Sequence, residues 1–154
     1  MLETVLLAVG PSDAERSGQL AEAVLDVAEP AGATVVLAHV FTNSEYEQVL
    51  DRLEFDRTVD EIDPDSVARR HSTIHDLKDA FEEHGVDLEI RGAVGDHGSS
   101  IVDLAASVDA DQVVVGGRRR SPTGKAVFGS TAQEVLLSAP CPVTFVRSND
   151  EHTD

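Results

Sequence analysis

The fold of this 154-residue chain is decided by residues 116–131, which read GGRRRSPTGKAVFGST. The stretch follows the apolar run 112–115 and precedes a segment with helical spacing, so it predicts a connection from a buried strand to a helix N-terminus. Glycine permits close backbone approach, and the N–H groups of Gly129, Ser130 and Thr131 can face an anion. A solvated basic loop before an ordinary helix fits the same spacing.

The charge of this stretch differs from that of the rest of the chain. Arg118, Arg119, Arg120 and Lys125 are four of only 12 Lys and Arg residues, whereas the chain has 29 Asp and Glu and a net charge of -17. A local basic cluster in an acidic chain indicates an anionic ligand, for which phosphate is the natural candidate. The overall acidity argues against nucleic-acid and anionic-membrane partners, which both require a basic face.

Strand-like and helix-like segments alternate on both sides of this stretch. Strands are predicted at 4–9, 33–40, 86–91, 112–115 and 142–146, and helices at 12–30, 63–85, 101–108 and 129–140. The strand 86–91 alternates apolar and polar residues, so we expect it to have one exposed face or to lie at a sheet edge. Residues 41–63 read as a long connection with one or two helical turns. The alternation predicts one α/β domain over 1–148, a doubly wound parallel five-stranded sheet with helices on both faces, and a polar tail at 149–154.

Three helix starts carry capping signals. Ser12 with Glu15 and Ser130 with Gln133 have the spacing of a capping box, and Asp63 before Pro64 predicts an N-cap followed by proline at the first helical position. Ligands of such sheets bind outside the carboxyl ends of the strands. That rule selects Gly10, Pro11 and Ser12 after the first strand, Val40 in the second, and the segment after Val115.

Composition sets the expected compartment. One cysteine, Cys141, cannot form an internal disulfide, and no apolar run has the roughly 20 residues that a membrane span needs. The N-terminus lacks the basic flank of a signal peptide, so we expect a cytoplasmic protein. The net charge of -17 favours a salt-rich cytoplasm and hence a halophilic organism, although ordinary acidity for solubility is the alternative.

Several motifs are rejected. His71 and His75 have the i, i+4 spacing of a zinc-binding face, but neither a following Glu nor a third ligand is evident, so we interpret them as exposed polar residues and expect no metal site. His39, at a buried strand end, is interpreted as a hydrogen-bonded core histidine. No nucleophile elbow or carboxylate pair is present, so no catalytic residue is assigned.

The stretch 116–131 resembles the nucleotide-binding signature of the universal stress protein family. Gly116, the nine residues 120–128 and Gly129-Ser130 fit the order of glycine, two residues, glycine, nine residues, glycine and serine or threonine. The similarity extends to 5–12, to 38–40, to Gly95 before the third helix, and to 139–143 at the entry into the last strand.

This resemblance implies a Rossmann-like sheet of order 3-2-1-4-5 and a homodimer formed through the last strand, Pro142–Val146. Members of the family divide into those that bind ATP or another adenine nucleotide and those that do not, and Mg²⁺ is a candidate companion of a bound nucleotide. The nucleotide-binding residues that the family pattern and position select are Gly10, Pro11, Ser12, Val40, Gly116, Gly117, Arg118, Arg119, Gly129, Ser130 and Thr131. Arg120 and Lys125 are added as phosphate contacts on charge alone.

Two residues depart from the family pattern. Arg119 stands where the signature has its second glycine, and Gly10 stands where the family often has an acidic residue. The leading hypothesis is a nucleotide-responsive sensor or regulator of the stress response that acts on an unknown protein partner. The alternatives are a dimeric interaction module without a nucleotide, and a weak ATPase of the same fold.

Overall fold

The computed structural model describes residues 2–10, 13–52, 63–117 and 129–147. Its strands are β1 (Thr4–Val9), β2 (Thr34–Phe41), β3 (Leu88–Val94), β4 (Gln112–Gly117) and β5 (Val143–Arg147). Its helices are α1 (Ser17–Ala31), α2 (Asn43–Arg52), α3 (Pro64–Arg69), α4 (Ser72–Glu83), α5 (His97–Ser107) and α6 (Ser130–Ser138), with a 3₁₀ turn at Asp13–Arg16.

All five strands belong to one parallel sheet of order β3-β2-β1-β4-β5, which confirms the predicted fold. In the register, Val9 of β1 lies beside His39 of β2, and Ala8 lies beside Val115 of β4. The chain leaves β1 on one side for β2 and returns to its other side with β4. The carboxyl ends of β1 and β4 therefore form the topological switch point of the sheet.

The two faces of the sheet carry separate apolar layers. Leu7 and its neighbours pack with Leu20 of α1 and Phe81 of α4, all fully buried. The alternate residues of the same strands, such as Ala8, point to the other face and pack with Ile101 of α5 and Val135 of α6. Each fully buried aliphatic side chain stabilises the fold by about 2 kcal/mol, which explains why the central strands are apolar on both faces.

The segment after β2 is more helical than expected, because α2 spans ten residues from Asn43 to Arg52. Its start is a capping box. The N–H of Glu45 donates to Thr42 Oγ1 at 3.1 Å, and the N–H of Thr42 donates to Glu45 Oε1 at 2.9 Å. These reciprocal bonds satisfy two backbone donors and fix the turn out of the strand.

The single helix predicted for 63–85 is two helices, α3 and α4, separated by Arg70 and His71. The predicted cap at its start is confirmed, since Asp63 accepts a hydrogen bond from the N–H of Ser66 at 2.7 Å. The break lets α3 lie along the outer edge of β3. There the N–H of Gly92 donates to Asp65 Oδ1 at 2.7 Å, so the helix occupies an edge donor that a lone strand would expose.

Of the other two predicted caps, the one at Ser12 lies outside the described residues. Helix α1 follows the 3₁₀ turn with Arg16 at its N-cap, and no described side chain caps it. The helix passes through Pro30 and ends at Gly32, whose φ is 66°. The Ser130–Gln133 capping box is wrong: Gly129 is the extended N-cap, and Ser130 is already the first helical residue. Within the described ranges, no helix is long and apolar enough to span a membrane.

Candidate functional site

The structure brings several sequence-predicted site residues to the carboxyl end of the sheet. Gly10 directly follows β1, Gly116 and Gly117 end β4, and Gly129 begins the turn into α6. The N-terminus of α6 therefore faces the same end of the molecule as the switch point between β1 and β4. Six predicted site residues lie outside the described residues: Pro11, Ser12, Arg118, Arg119, Arg120 and Lys125.

The start of α6 lies at the surface. Gly129 and Ser130 are exposed and Thr131 is half-buried. The N-cap has an extended backbone (φ −62°, ψ 162°), and no side-chain hydrogen bond caps this helix among the described residues. The first N–H groups of a helix have no partner within it, and its dipole adds partial positive charge there. This end of α6 therefore suits an anionic group such as a phosphate.

Val40, which the family resemblance selects as a backbone and apolar contact, has a buried side chain. Its side chain is only 4% exposed and belongs to the apolar layer that α5 and α6 cover. The side chain is a core residue, and only the backbone of β2 at this level can face a ligand.

A buried ion pair that the sequence analysis missed lies at the switch point. Asp13 and Arg16, in the 3₁₀ turn after β1, are each 4% exposed, and Arg16 Nη1 donates to Asp13 Oδ1. The other carboxylate oxygen, Asp13 Oδ2, accepts a hydrogen bond from the N–H of Gly10 at 2.7 Å. The sequence did contain a signal for this pair, because an acidic and a basic residue stand at i, i+3 spacing in the turn that follows a buried strand.

The two glycines that end β4 are required by packing. A β-carbon on Gly116 would lie 2.8 Å from Arg16 Cδ and 3.0 Å from Asp13 Oδ1. A β-carbon on Gly117 would lie 2.6 Å from Phe145 Cζ. The absence of a side chain at Gly116 thus leaves space for the Asp13–Arg16 ion pair, and its absence at Gly117 leaves space for the ring of Phe145.

A histidine pair lies beside this end of β2. His39 Nδ1 lies 2.6 Å from the carbonyl oxygen of Val9, to which it donates as Nδ1–H, so the prediction of a hydrogen-bonded core histidine is confirmed. The ring of His71 lies 4.3 Å from that of His39, centroid to centroid. Burial and then the neighbouring His71 lower the pKa of His39 from 6.5 to about 4. Both rings are therefore neutral near pH 7.

His71 is not the exposed residue that was predicted. Its Nδ1 atom is buried and has no hydrogen-bond partner among the described residues, and burial, followed by the charge of Arg52, lowers its pKa. His75 does agree with the prediction, since it is exposed and its Nδ1 lies 3.6 Å from Asp79 Oδ2. No group of three or more His, Cys, Asp or Glu in the described part of the chain is arranged to hold a metal ion.

Comparison with protein families gives a match over almost the whole chain. Residues 1–147 match the family model described as "Universal stress protein family". A universal stress protein of Thermus aquaticus is 31% identical over 150 residues, which cover 96% of this chain and 100% of that protein. One from Mycolicibacterium smegmatis is 39% identical over 79 residues, which cover 51% of this chain and 61% of that protein.

Solved structures show the same fold. A universal stress protein from Archaeoglobus fulgidus has a TM-score of 0.67 and 29% identity, with 96% of this chain and 99% of that chain covered. A universal stress protein in complex with cAMP has a TM-score of 0.64 and 20% identity (96% and 98% covered). A family member from Arabidopsis thaliana with AMP bound has a TM-score of 0.66 and 16% identity (99% and 95% covered). From its sequence match and its fold, the chain belongs to the universal stress protein family.

Proposed function

We propose that this protein binds an adenine nucleotide at the switch point and acts as a nucleotide-responsive regulator in the stress response. The observation that carries the proposal is the exposed N-terminus of α6, which has no capping side chain among the described residues and faces the carboxyl end of β4. Backbone N–H groups that have no internal partner bind phosphate oxygens well, because they are already oriented and carry partial positive charge.

The geometry of Gly129 supports this assignment. An added β-carbon there would meet no atom within 4 Å in the described structure, so a ligand can approach the backbone closely. Arg118, Arg119, Arg120 and Lys125 follow β4 in sequence and would supply charge to the phosphates of a nucleotide. Mg²⁺ would accompany a triphosphate, with its ligands drawn from the phosphate oxygens and water.

The relatives support the class of ligand. The solved universal stress proteins with cAMP and with AMP bound have the same fold as this chain. Both molecules combine an adenine base with a phosphate group, which is the part that the α6 N-terminus suits. We propose a cytoplasmic setting, in which a regulatory protein would respond to the nucleotide-bound state.

Titration calorimetry with ATP and AMP, with and without Mg²⁺, tests the site. Gly129→Glu places a carboxylate at the α6 N-terminus and should weaken binding at least tenfold, because it repels phosphate and occupies its position. Gly129→Gln, of equal size and without charge, is the matched control and should lose much less affinity. An equal loss of affinity in the two variants, or no loss in either, would show that no phosphate binds at the start of α6.

A second measurement distinguishes the proposed regulator from two other functions, a nucleotide-independent interaction module and a weak ATPase. Mass spectrometry of small molecules released from the purified protein should detect an intact adenine nucleotide. A protein that releases no nucleotide and binds none would be a nucleotide-independent interaction module. Repeated turnover of ATP with Mg²⁺ would instead identify a weak ATPase, whereas a sensor releases its nucleotide unchanged.

We also propose a homodimer formed through β5. The sheet has two edges, and α3 covers that of β3, where Asp65 holds the outward N–H of Gly92. At the other edge, the N–H of Val113 donates to the carbonyl of Pro142 at 2.9 Å. In a regular parallel ladder this register turns the N–H group of Val143 away from β4. A second copy of the chain could pair with this donor.

Hydrogen exchange measured at several protein concentrations tests the dimer. The amide of Val143 should be protected when the protein is concentrated and lose protection on dilution, in step with the mass from sedimentation equilibrium. The amide of Thr144, which faces β4, is the internal control and should exchange independently of concentration. A dimeric mass with Val143 unprotected would place the interface elsewhere.

A further inference from the structure

Two stacked histidine rings join the sheet to the break between α3 and α4. His39, on the interior strand β2, is 4% exposed, and its Nδ1–H donates to the carbonyl oxygen of Val9. The ring of His71 lies 4.3 Å from it, centroid to centroid, at an interplanar angle of 39°. Arg70 and His71 are the two residues that separate the helices, so this ring contact attaches the corner between α3 and α4 to β2.

The surroundings of the pair disfavour a proton on His71. Burial, and then the positive charge of Arg52 at the end of α2, lowers the pKa of His71. A protonated ring would also lie against the ring of His39, and it would donate from both nitrogens, although its buried Nδ1 has no acceptor among the described residues. Two further charged groups face His39: Glu45 of α2 raises its pKa, and His97 of α5 lowers it. The stacked position therefore suits a neutral His71.

His71 is the ring that can leave the pair. Strand β2 is paired with β1 on one side and with β3 on the other, so His39 cannot move without disturbing the sheet. His71 lies outside the sheet, and its neighbour Arg70 is exposed, so water is one residue away. The N–H of His71 donates to the carbonyl of Ala68 at 3.0 Å. A protonated His71 can therefore reach water by a local opening of the corner that breaks this hydrogen bond.

The corner is continuous with the helix that covers the edge of β3. Helix α3 has six residues, too few to be stable by itself, and near its start Asp65 Oδ1 accepts from the N–H of Gly92 at 2.7 Å. We propose that His71 is an acid-sensitive switch: when it takes up a proton, the corner opens, α3 loosens from β3, and the N–H of Gly92 becomes accessible. This inference does not depend on nucleotide binding, and it makes acid a second condition to which this member of the universal stress protein family responds.

Native-state hydrogen exchange of the full chain at pH 7.5 and pH 5, corrected for the intrinsic pH dependence of exchange, tests the switch. Protection of the His71 and Gly92 amides should fall about ten- to thirtyfold at pH 5, and the upper value is set by a released histidine with the ordinary pKa of 6.5. Urea below the unfolding transition should accelerate these two amides much less than that of the fully buried Val35, which donates to the carbonyl of Asp87 at 2.8 Å and reports global unfolding.

Three variants identify the titrating group. His71→Gln removes it, so protection of the Gly92 amide should change by less than about threefold between the two pH values. His75→Gln, at an exposed position of α4, is the matched control and should keep the full pH dependence. Asp65→Asn should keep it too, because its amide oxygen still accepts from Gly92 and does not titrate.

Two results from the unaltered protein would overturn the inference without any variant. One is equal protection of the Gly92 amide at the two pH values, and the other is an equal effect of urea on Gly92, His71 and Val35 at pH 5. An undiminished pH dependence in His71→Gln would overturn it as well. If that variant does not fold, NMR titration of the imidazole signals decides: His71 should take up its proton over the same pH range in which Gly92 loses protection.

Discussion

The carbonyl oxygen of Pro64 lies 2.0 Å from the point that a β-carbon on Gly92 would occupy. The first residue of α3 therefore rests directly on the backbone of the edge strand β3, and the neighbouring Asp65 binds the N–H of Gly92. The contact is between two backbones, so neither side can give way as a flexible side chain would. Only glycine permits it.

Substitution of Gly92 by alanine should destabilise the protein by about 2 to 3 kcal/mol, because α3 must move away from β3 and the Asp65 hydrogen bond is lost. Urea unfolding followed by circular dichroism measures the change. Gly18→Ala is the matched control: this glycine lies in α1, and an added β-carbon would meet no described atom outside its own helix backbone within 4 Å, so the same substitution should stabilise the protein by about 0.5 kcal/mol. Equal effects at the two sites would contradict the close contact.

Stability should fall as the pH is lowered below 6.5. The pKa of His39 is lowered from 6.5 to about 4, first by burial and then by His71, so the unfolded chain binds more protons than the folded protein in this window. The stability that the neutral ring contributes is complete above pH 6.5 and is lost as the pH approaches 4. The whole effect is about 3 kcal/mol, of which about 2 should be lost by pH 5. Urea unfolding at pH 7.5 and pH 5 measures it.

His39→Gln identifies the titrating group. The amide of glutamine can still donate to the carbonyl of Val9, but it does not titrate, so the loss of stability between pH 7.5 and pH 5 should shrink to the part that His71 contributes. Glu45, whose carboxyl titrates at lower pH, leaves this window unaffected. A pH dependence as large in the variant as in the unaltered protein would assign the effect to other groups.

The cap of α2 should be measurable at Thr42. Thr42→Ala removes the oxygen that accepts from the N–H of Glu45 at 3.1 Å and should cost about 1 kcal/mol in unfolding free energy. Thr42→Ser keeps the hydroxyl and should cost less than half as much. A serine variant as unstable as the alanine variant would show that the methyl group, and not the cap, is what matters.

Salt should stabilise this protein more than it stabilises a neutral one. At a net charge of -17 the folded state repels itself, and raising NaCl from about 0.1 M to about 1 M shortens the screening length from roughly 10 Å to 3 Å. We expect the melting temperature to rise over this range. A variant in which three exposed carboxylates are neutralised, Glu22→Gln, Asp76→Asn and Glu83→Gln, should show a smaller rise in melting temperature. An equal rise in the variant and the unaltered protein would show that charge screening is not the cause.

The sheet could be predicted because its central strands are buried on both faces. A continuous apolar run such as that of β1 has one interpretation in an alternating α/β chain, and the strand order followed from the family resemblance. The extent of α2 was harder to predict because its mean composition is polar, yet the Thr42-x-x-Glu45 spacing was a capping signal in the sequence. The break between α3 and α4 has no comparable local signal, since it depends on the contact with Gly92.

The part of the candidate site that consists of backbone at a helix start could be predicted from the sequence. The contacts between residues from different elements of the fold could not. Gly129 and Ser130 were placed correctly at a helix start, because a glycine after a strand-to-helix connection is a local feature. The burial of Val40, the pairing of Asp13 with Arg16, and the packing of His71 on His39 depend on which elements become neighbours. Side-chain burial of that kind is decided by the assembled fold.

The ring of Phe145 lies where a side chain at residue 117 would have to be, and the ion pair after β1 occupies the corresponding space at residue 116. A relative with this packing would be unable to replace either glycine cheaply, whether or not it binds a nucleotide. The double glycine at the end of β4 therefore carries no information about binding, whereas the start of α6 has no such packing constraint from the described residues, because a β-carbon on Gly129 would meet none of their atoms within 4 Å. In comparisons among relatives, the residue at the start of α6 is therefore the better marker of a retained ligand.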